Sequence, residues 1–306
     1  MTSSTGAGVS AEPIDAADAR KGVRDASLPA RILSAVVFLP LLVLMAWTGG
    51  VVWLLFGTAV VGLGLREFYS LLEAKGLSPH WKSGMLAVLL LPVGVYLRFR
   101  THRIEEWHVG GFFTILVGAV LLAELRRGAG KQAVANSAAT LLGFLYIGWL
   151  GTHLVSLREL PHAVGRPYVE GFSFVMLTFA LTWACDTAAY VVGKRFGRIK
   201  LMPDVSPGKS LEGCVAGFMA AIAVAAGAQA WFARYLSLPD AIALGALVGV
   251  FGQLGDLVES LLKRDADTKD SSRLIPGHGG VLDRFDSLLF TAPIVYYFLL
   301  FRVVTP

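Results

Sequence analysis

The sequence predicts an all-α integral membrane protein, a polytopic bundle of about nine transmembrane helices with a cytoplasmic N-terminus. Of its 306 residues, 55% are hydrophobic and only 16% are charged, and the mean hydropathy is +0.63. Soluble domains of this size are less apolar. Apolar runs also follow one another along the chain from residue 32 onward, with polar loops between them.

Nine apolar runs are visible, although several are shorter than the roughly 20 residues that a membrane-spanning helix needs. Gly49 and Gly50 divide the first two runs and predict a hairpin there rather than one long helix. An odd number of spans places the two termini on opposite sides of the membrane. The runs lie near 32–48, 51–65, 84–97, 109–124, 135–156, 172–192, 212–232, 238–257 and 288–304.

The basic residues predict how the bundle is oriented. With a cytoplasmic N-terminus, 20 of the 27 Lys and Arg residues fall on the cytoplasmic side and 7 on the other, in agreement with the positive-inside rule. The two charged loops of the C-terminal half, 193–211 and 258–287, then share the cytoplasmic face. We therefore expect a multi-pass protein of the cell membrane, with both loops at its cytoplasmic face.

The chain divides into three predicted regions. Residues 1–27 are rich in Ser, Ala, Gly and Asp without periodicity, which is typical of a disordered tail. The first apolar run begins too late, and lacks the small-residue pattern, for a cleaved signal peptide. Residues 28–170 are expected to be N-terminal transmembrane helices, and residues 171–306 a C-terminal transmembrane catalytic region.

Composition excludes several classes of function. The net charge of +5 comes from basic residues dispersed over the loops, without interleaved aromatic residues, so we expect no nucleic-acid partner. Anionic lipid headgroups and phosphates are the expected partners of these charges. Cys185 and Cys214 are the two cysteines, too few for a disulfide framework or a Cys-rich zinc site.

A stripe of polar side chains marks the end of the eighth run. At 100° per residue, Asp256, Glu259, Ser260 and Lys263 fall within about 100° of one another on a helix. A carboxylate inside a membrane helix costs about 2.5–3.5 kcal/mol, so Asp256 is expected to have a compensating cation. A salt bridge to Lys263 is the purely structural alternative.

Two further carboxylates open the last span. Asp283 and Asp286 are three residues apart and point the same way on a helix. Because Mg²⁺ is bound by few carboxylates together with substrate phosphates, Asp256, Asp283 and Asp286 are the predicted metal ligands. Arg284, between the last two, could hold a phosphate or an acid. The alternative is that the two aspartates only cap the helix and stabilise its dipole.

A glycine-rich turn precedes these aspartates. Gly279 and Gly280 would let backbone N–H groups approach a phosphate closely. His278 could donate to a phosphate oxygen or carry a proton, or could simply be hydrogen-bonded within its loop. Asp265 and Asp267, slightly upstream, are interpreted as solvated surface residues.

The loop 193–211 supplies the second basic cluster. Gly208-Lys209-Ser210 imitates the end of a P-loop, but Pro203 stands where that motif requires glycine, so we reject a P-loop. We expect a flexible basic segment that enters a helix near Glu212, with Ser210 as its N-cap. Topology or lipid contact would explain the basic charge equally well.

Asp186 lies inside the sixth run, with Tyr190 four residues further on. An acid within a membrane span is a functional candidate by default. Its expected partner is a basic residue of the loop 193–211 or a bound cation.

These residues together resemble a known family, the integral-membrane phosphatidate cytidylyltransferases, or CDP-diacylglycerol synthases. The match is Ser260-x-Leu-Lys263-Arg264, then Lys269-Asp270, then Ile275-Pro276-x-His278-Gly279-Gly280-Val-x-Asp283-Arg284-Phe-Asp286. Asp186-x-x-x-Tyr190-x-x-Gly193-Lys194 and Ser206-Pro-x-Lys209-Ser210-x-Glu212-Gly213 resemble upstream elements of the family. Departures occur at Gly208, Ser210, Leu211 and Ser272, where the family often has Lys, Thr, Trp and Gly.

The resemblance implies transfer of the cytidylyl group of CTP to phosphatidic acid in phospholipid biosynthesis, giving CDP-diacylglycerol and pyrophosphate. It implies Mg²⁺ as the cofactor, with K⁺ as a candidate second ion, a homodimer, and an active site on the cytoplasmic face. The implied catalytic residues are Asp256, Lys263 and Asp283. The implied phosphate- and nucleotide-binding residues are Lys209, Ser210, Lys263, Arg264, Lys269, His278, Gly279, Gly280 and Arg284.

Two rival functions stay open at this point. A transporter could use Asp186 and Asp256 as cation ligands, but it predicts inverted repeats, and the first half has no counterpart of 253–287. A CDP-alcohol phosphotransferase would need an Asp-Gly-x-x-Ala-Arg element followed by spaced aspartates, and that element is absent from the sequence.

Overall fold

The fold was analysed in a computed structural model that describes residues 28–101, 106–128, 130, 132–272, 274 and 279–304. The predicted tail at 1–27 lies outside these residues. The described elements are α1 (Leu28–Thr48), α2 (Gly50–Ala74), α3 (Trp81–Thr101), α4 (Glu106–Arg127), α5 (Ala133–Glu159), the single turn α6 (Pro161–Val164), α7 (Glu170–Phe196), β1 (Lys200–Met202), β2 (Ser206–Ser210), α8 (Leu211–Trp231), α9 (Leu238–Asp265) and α10 (Leu282–Val304).

The prediction of a polytopic helical membrane protein is confirmed. Among the described residues, eight helices, α2–α5 and α7–α10, are long and apolar enough to cross a bilayer, and the apolar segment Val36–Thr48 of α1 is shorter. Two helices extend well beyond their apolar runs: α9 continues to Asp265 and α10 already begins at Leu282. Charged residues therefore sit on regular helical turns at these ends, which fixes the directions of their side chains.

The division between the first two helices is also confirmed. Gly49 and Gly50 have φ angles of 62° and 55°, in the left-handed region that glycine adopts without steric cost. The end of α1 is stabilised by Arg158 of α5, whose Nε donates to the carbonyl oxygen of Ala46 at 2.7 Å. A buried guanidinium thus satisfies a carbonyl group that the helix end leaves open.

One part of the fold departs from the all-α prediction. The basic segment before α8 is an antiparallel hairpin of β1 and β2, with Lys200 paired to Ser210 and Met202 to Ser206, rather than a flexible loop. The predicted N-cap is confirmed, because the Ser210 hydroxyl accepts a hydrogen bond from the N–H of Gly213 at 3.2 Å. The strand and the cap together place Lys209 at a fixed position beside the helix bundle.

Glycines bring α7, α8 and α9 into close contact. A Cβ atom on Gly217 of α8 would lie 2.8 Å from the carbonyl oxygen of Cys185 in α7, and a Cβ on Gly249 of α9 would lie 2.9 Å from the Cα of Phe218. Small residues permit such close backbone approach between membrane helices. Cys185 is buried and Cys214 half-buried, and both are free thiols.

The N-terminal helices pack against the start of α10. One buried cluster joins Val61, Leu65 and Phe68 of α2 to Ile147 of α5 and Leu282 of α10. Within α5, residues Phe144–Trp149 form a π-helical segment, a local widening that is common at functional sites. Helices from the first half of the chain therefore form one side of the region where the predicted site residues lie.

Candidate active site

The two charged loops of the C-terminal half meet on the same face of the bundle, as predicted. Lys209 of the hairpin forms a salt bridge with Asp256 of α9, with 2.9 Å between Nζ and Oδ2. At the end of α9, Arg264 Nε donates to the carbonyl oxygen of Val205 in the hairpin at 3.3 Å. These two contacts attach the hairpin to the polar end of α9.

Lys263 joins the ends of α9 and α10. Its Nζ lies 2.8 Å from Asp283 Oδ1 of α10 and 2.5 Å from Glu259 Oε2 of α9. The Glu259 side chain is 1% exposed and the Lys263 side chain 14%. The predicted convergence of the eighth and ninth spans is therefore observed, and an ammonium group lies between two carboxylates at the point where they meet.

Asp256 does not pair with Lys263, the structural alternative considered above. Lys209 pairs with Asp256, whereas Lys263 turns towards Glu259, one helical turn away, and towards Asp283. The second oxygen of Asp256 accepts a bond from the Ser260 hydroxyl at 3.3 Å. The salt bridge between Asp256 and Lys263 was thus a wrong expectation, because the hairpin brings a nearer cation.

Asp186 and Asp286 face this same region. The Ser287 hydroxyl of α10 donates to Asp186 Oδ1 of α7 at 3.4 Å, and the Ser287 backbone N–H donates to Asp286 Oδ1 at 2.6 Å. Both carboxylates lie within electrostatic range of Asp256. Lys209 from the 193–211 loop is also within electrostatic range of Asp186, but its ammonium group is paired with Asp256.

A cavity of about 600 Å³ opens beside these acids, within the size range of small-molecule sites. Its walls come from α7, the hairpin, α8 and α9. Both carboxylates and amines line it, so it offers both the charges that hold a phosphate and the charges that hold a cation. Its charged lining residues are Asp186, Lys194, Lys200, Lys209 and Asp256.

Asp283 organises the loop that precedes α10. Its carboxylate accepts hydrogen bonds from the backbone N–H of Gly280 at 2.7 Å and from the hydroxyl of Ser271 at 3.0 Å, in addition to Lys263. Gly279 has a φ of +78°, so glycine is required at this turn. The N–H of Gly280, predicted to face a phosphate, is directed at Asp283 instead.

Glu67 of α2 is a residue of the site that was not predicted from the sequence. Its side chain is 5% exposed. One of its oxygens accepts from the Ser272 hydroxyl at 2.6 Å and from the N–H of Val281 at 3.0 Å. The other accepts from the Ser271 hydroxyl at 3.1 Å and from the N–H of Leu282 at 2.7 Å. A carboxylate from the N-terminal half therefore caps α10 and fixes the loop beside Asp283.

The remaining predicted site residues differ in their positions. Lys269 and Arg284 are exposed, Arg264 contacts the hairpin, and His278 lies outside the described residues. Asp265 is exposed and pairs with Lys75 of α2, and Asp267 is exposed as well, which confirms the surface interpretation of both.

The charge balance of the site suits a cation. Lys209 contacts Asp256, and Lys263 contacts Glu259 and Asp283. Asp186 and Asp286 lie within electrostatic range of this group, so the carboxylates of the described site outnumber the two ammonium groups that contact them. Their oxygens are the ligands that hard divalent ions prefer. Within the described ranges, no three His, Cys, Asp or Glu side chains already converge as ligands of one ion.

Comparisons with known proteins agree with the sequence resemblance. The model of the cytidylyltransferase family matches residues 29–302. A phosphatidate cytidylyltransferase of Synechocystis is 36% identical, with 88% of this chain and 95% of the relative covered. Proteins of the same name from Bacillus subtilis and Staphylococcus epidermidis are 32% and 29% identical, over 88% and 86% of this chain and 94% of each relative.

Proposed function

This chain belongs to the cytidylyltransferase family and is a phosphatidate cytidylyltransferase, and we propose that the polar region between the hairpin and the ends of α9 and α10 is its active site. The observation that carries the proposal is the pair of Lys209 and Asp256 at the wall of the 600 Å³ cavity. This pair places a group that binds phosphate next to a group that binds metal, at the meeting point of the two charged loops.

The reaction joins two anionic phosphates. An ionised phosphatidate oxygen attacks the α-phosphorus of CTP, the new P–O bond forms, and the bond to pyrophosphate breaks. Phosphatidate already carries the negative oxygen at neutral pH, so no strong base has to remove a proton. Catalysis then depends on positioning and on neutralising charge, for which Lys194, Lys200 and Lys209 around the cavity are suitable.

We assign the metal to the carboxylates that the sequence singled out, Asp256, Asp283 and Asp286, with Asp186 on the facing helix. The excess of carboxylate over ammonium groups supports this assignment. When bound, Mg²⁺ would neutralise the charge that develops on the phosphate oxygens. Lys263, between Glu259 and Asp283, holds Asp283 in place together with the backbone N–H groups of Ser271 and Gly280.

The membrane supplies the second substrate. The charged ends of α7, α9 and α10 lie beside apolar helices, so the headgroup of phosphatidic acid can reach the site while its acyl chains stay between helices. The excess of basic residues on this side supports a cytoplasmic active site. The family resemblance supports a homodimer, and K⁺ as the second ion.

The direct test uses the full chain purified in detergent with CTP, Mg²⁺ and phosphatidic acid. We expect CDP-diacylglycerol and pyrophosphate in equal amounts, with no product when CTP is replaced by CDP. The Asp283→Asn variant should lose turnover at limiting Mg²⁺ while remaining folded by thermal denaturation. Wild-type turnover of this variant under those conditions would overturn the metal assignment, and an inactive wild-type chain would overturn the activity.

A further inference from the structure

A buried tyrosine hydroxyl lies beside the proposed active site without a hydrogen-bond partner among the described residues. Tyr146 belongs to the π-helical segment of α5 and is 6% exposed. Its hydroxyl oxygen is buried and makes no hydrogen bond within the described part of the chain. A buried polar group without a partner is costly, so the hydroxyl is expected to have one in the working protein.

Tyr146 packs between the helices that border the proposed site. Its ring lies 5.8 Å from the ring of Phe68, next to Glu67 in α2, and 6.4 Å from the ring of Phe290, one helical turn beyond Asp286 in α10. The hydroxyl is within electrostatic range of Glu259, Asp286 and Asp256. The acids of the site are therefore the candidate acceptors of its proton.

Glu259 is a buried acceptor with unused hydrogen-bonding capacity, as Tyr146 is a buried donor. Its side chain is 1% exposed, and neither of its oxygens takes part in a well-aligned hydrogen bond with any described residue. Charge attraction to Lys263 Nζ, at 2.5 Å, holds one oxygen. A buried carboxylate and a buried hydroxyl therefore lie near each other, each with unused hydrogen-bonding capacity.

We propose that Tyr146 is a positioning residue of the active site, whose hydroxyl donates a hydrogen bond to a water molecule that in turn donates to Glu259. A buried water typically makes about three hydrogen bonds, and the Tyr146 hydroxyl and the Glu259 and Asp286 carboxylates supply that number. Glu259 held in this way does not draw Lys263 away from Asp283. The inference rests on the proposed function, because its effect is on Lys263 and Asp283.

The test is the Tyr146→Phe variant, which keeps the ring and its packing and removes only the oxygen. We expect kcat to fall about tenfold, the loss typical of one hydrogen bond to a charged group, with the KM for CTP and for phosphatidic acid within about twofold. Thermal stability should be unchanged or higher. A wild-type kcat would overturn the proposal and leave Tyr146 as a packing residue.

Tyr69→Phe is the matched control. Tyr69 is also buried, but its hydroxyl donates to the carbonyl oxygen of Thr140 at 2.8 Å. Its loss should lower thermal stability and leave kcat unchanged, the opposite pattern to that expected for Tyr146→Phe. The same pattern in both variants, a lower stability with a retained kcat, would contradict the proposal.

A double variant tests whether the Tyr146 hydroxyl acts through Glu259. In a Glu259→Gln background, Tyr146→Phe should cause no further fall in kcat, because the two residues act through one water. A full additional tenfold loss would overturn the role of Glu259. If Glu259→Gln does not fold, the kcat of Tyr146→Phe alone decides. A wild-type chain that forms no CDP-diacylglycerol would instead refute the proposed function itself.

Discussion

The carboxylate of Glu67 in α2 accepts a hydrogen bond from the backbone N–H of Leu282 at 2.7 Å, across 215 positions of the chain. This contact joins the N-terminal helices to the first turn of α10. The negative charge also lies at a helix N-terminus, where the helix dipole stabilises it. The position of Asp283 and Asp286 therefore depends on a residue far from them in sequence.

Replacing Glu67 with glutamine should destabilise the protein and lower its activity. The Glu67 carboxylate accepts hydrogen bonds from the Ser272 hydroxyl and from the N–H groups of Val281 and Leu282. It shares the single proton of the Ser271 hydroxyl with Asp283, and an amide group would direct a donor at these donors. We expect a loss of about 1–3 kcal/mol in stability, measured by thermal denaturation in detergent. Glu73→Gln on the exposed face of the same helix is the control and should behave as wild type. Equal stability of the two variants would contradict the capping role of Glu67.

Replacing Lys209 with methionine should weaken the binding of CTP. Methionine keeps most of the side-chain length but removes the charge that pairs with Asp256 at the cavity. The KM for CTP is expected to rise about tenfold or more, as for loss of a charged hydrogen bond, while the KM for phosphatidic acid changes little. Steady-state kinetics in mixed micelles would measure both. Lys82→Met, at an exposed position of α3, should leave both values unchanged.

Replacing Asp256 with asparagine should reduce the response to Mg²⁺. The amide cannot neutralise a cation, so the rate at limiting Mg²⁺ is expected to fall about 100-fold or more. The control is Asp265→Asn on the same helix, because Asp265 is 59% exposed and pairs with Lys75 at the surface. Titration of both variants with Mg²⁺ at saturating CTP provides the comparison. If the rates of the two variants depend on the Mg²⁺ concentration in the same way, a metal role for Asp256 is refuted.

Adding one methyl group at Gly217 should destabilise the contact between α7 and α8. A Cβ there would lie 2.8 Å from the carbonyl oxygen of Cys185, whereas nothing lies within 4 Å of a Cβ on Gly227 of the same helix. Gly217→Ala should cost about 1–3 kcal/mol through overpacking, and Gly227→Ala should be neutral or stabilising. Thermal denaturation of the two variants in one detergent would show the difference, and equal midpoints would contradict it.

Hydropathy and charge were enough to predict the membrane bundle and the meeting of the two charged loops on one face. Of the nine predicted spans, eight are long and apolar enough among the described residues, and the first contains only a shorter apolar helix. The predictions succeeded because a bilayer leaves few alternatives to apolar helices. The apolar run 51–65 ends before Glu67, so hydropathy does not single out this acid. In fact α2 continues to Ala74, and a single carboxylate at a helix end carries no distinctive signal.

The pairing of side chains within the site could not be predicted. Lys209 reaches Asp256 only because Ser206–Ser210 forms a strand, and the sequence Ser-Pro-Gly-Lys-Ser resembles an irregular loop. The π-helical segment that contains Tyr146 has no sequence pattern of its own. Hydropathy placed this tyrosine within an ordinary apolar span. These features depend on contacts between distant segments rather than on local composition.

On the proposed metal assignment, the salt bridge between Lys209 and Asp256 would also couple the two ligands of the enzyme. Mg²⁺ and the lysine would compete for one carboxylate, and a triphosphate that attracts the lysine would leave that carboxylate available. By reciprocity, the factor by which nucleotide tightens the hold on metal equals the factor by which metal tightens the hold on nucleotide. The resting protein would then take up little free magnesium by itself, and the ion would arrive together with the nucleotide that requires it.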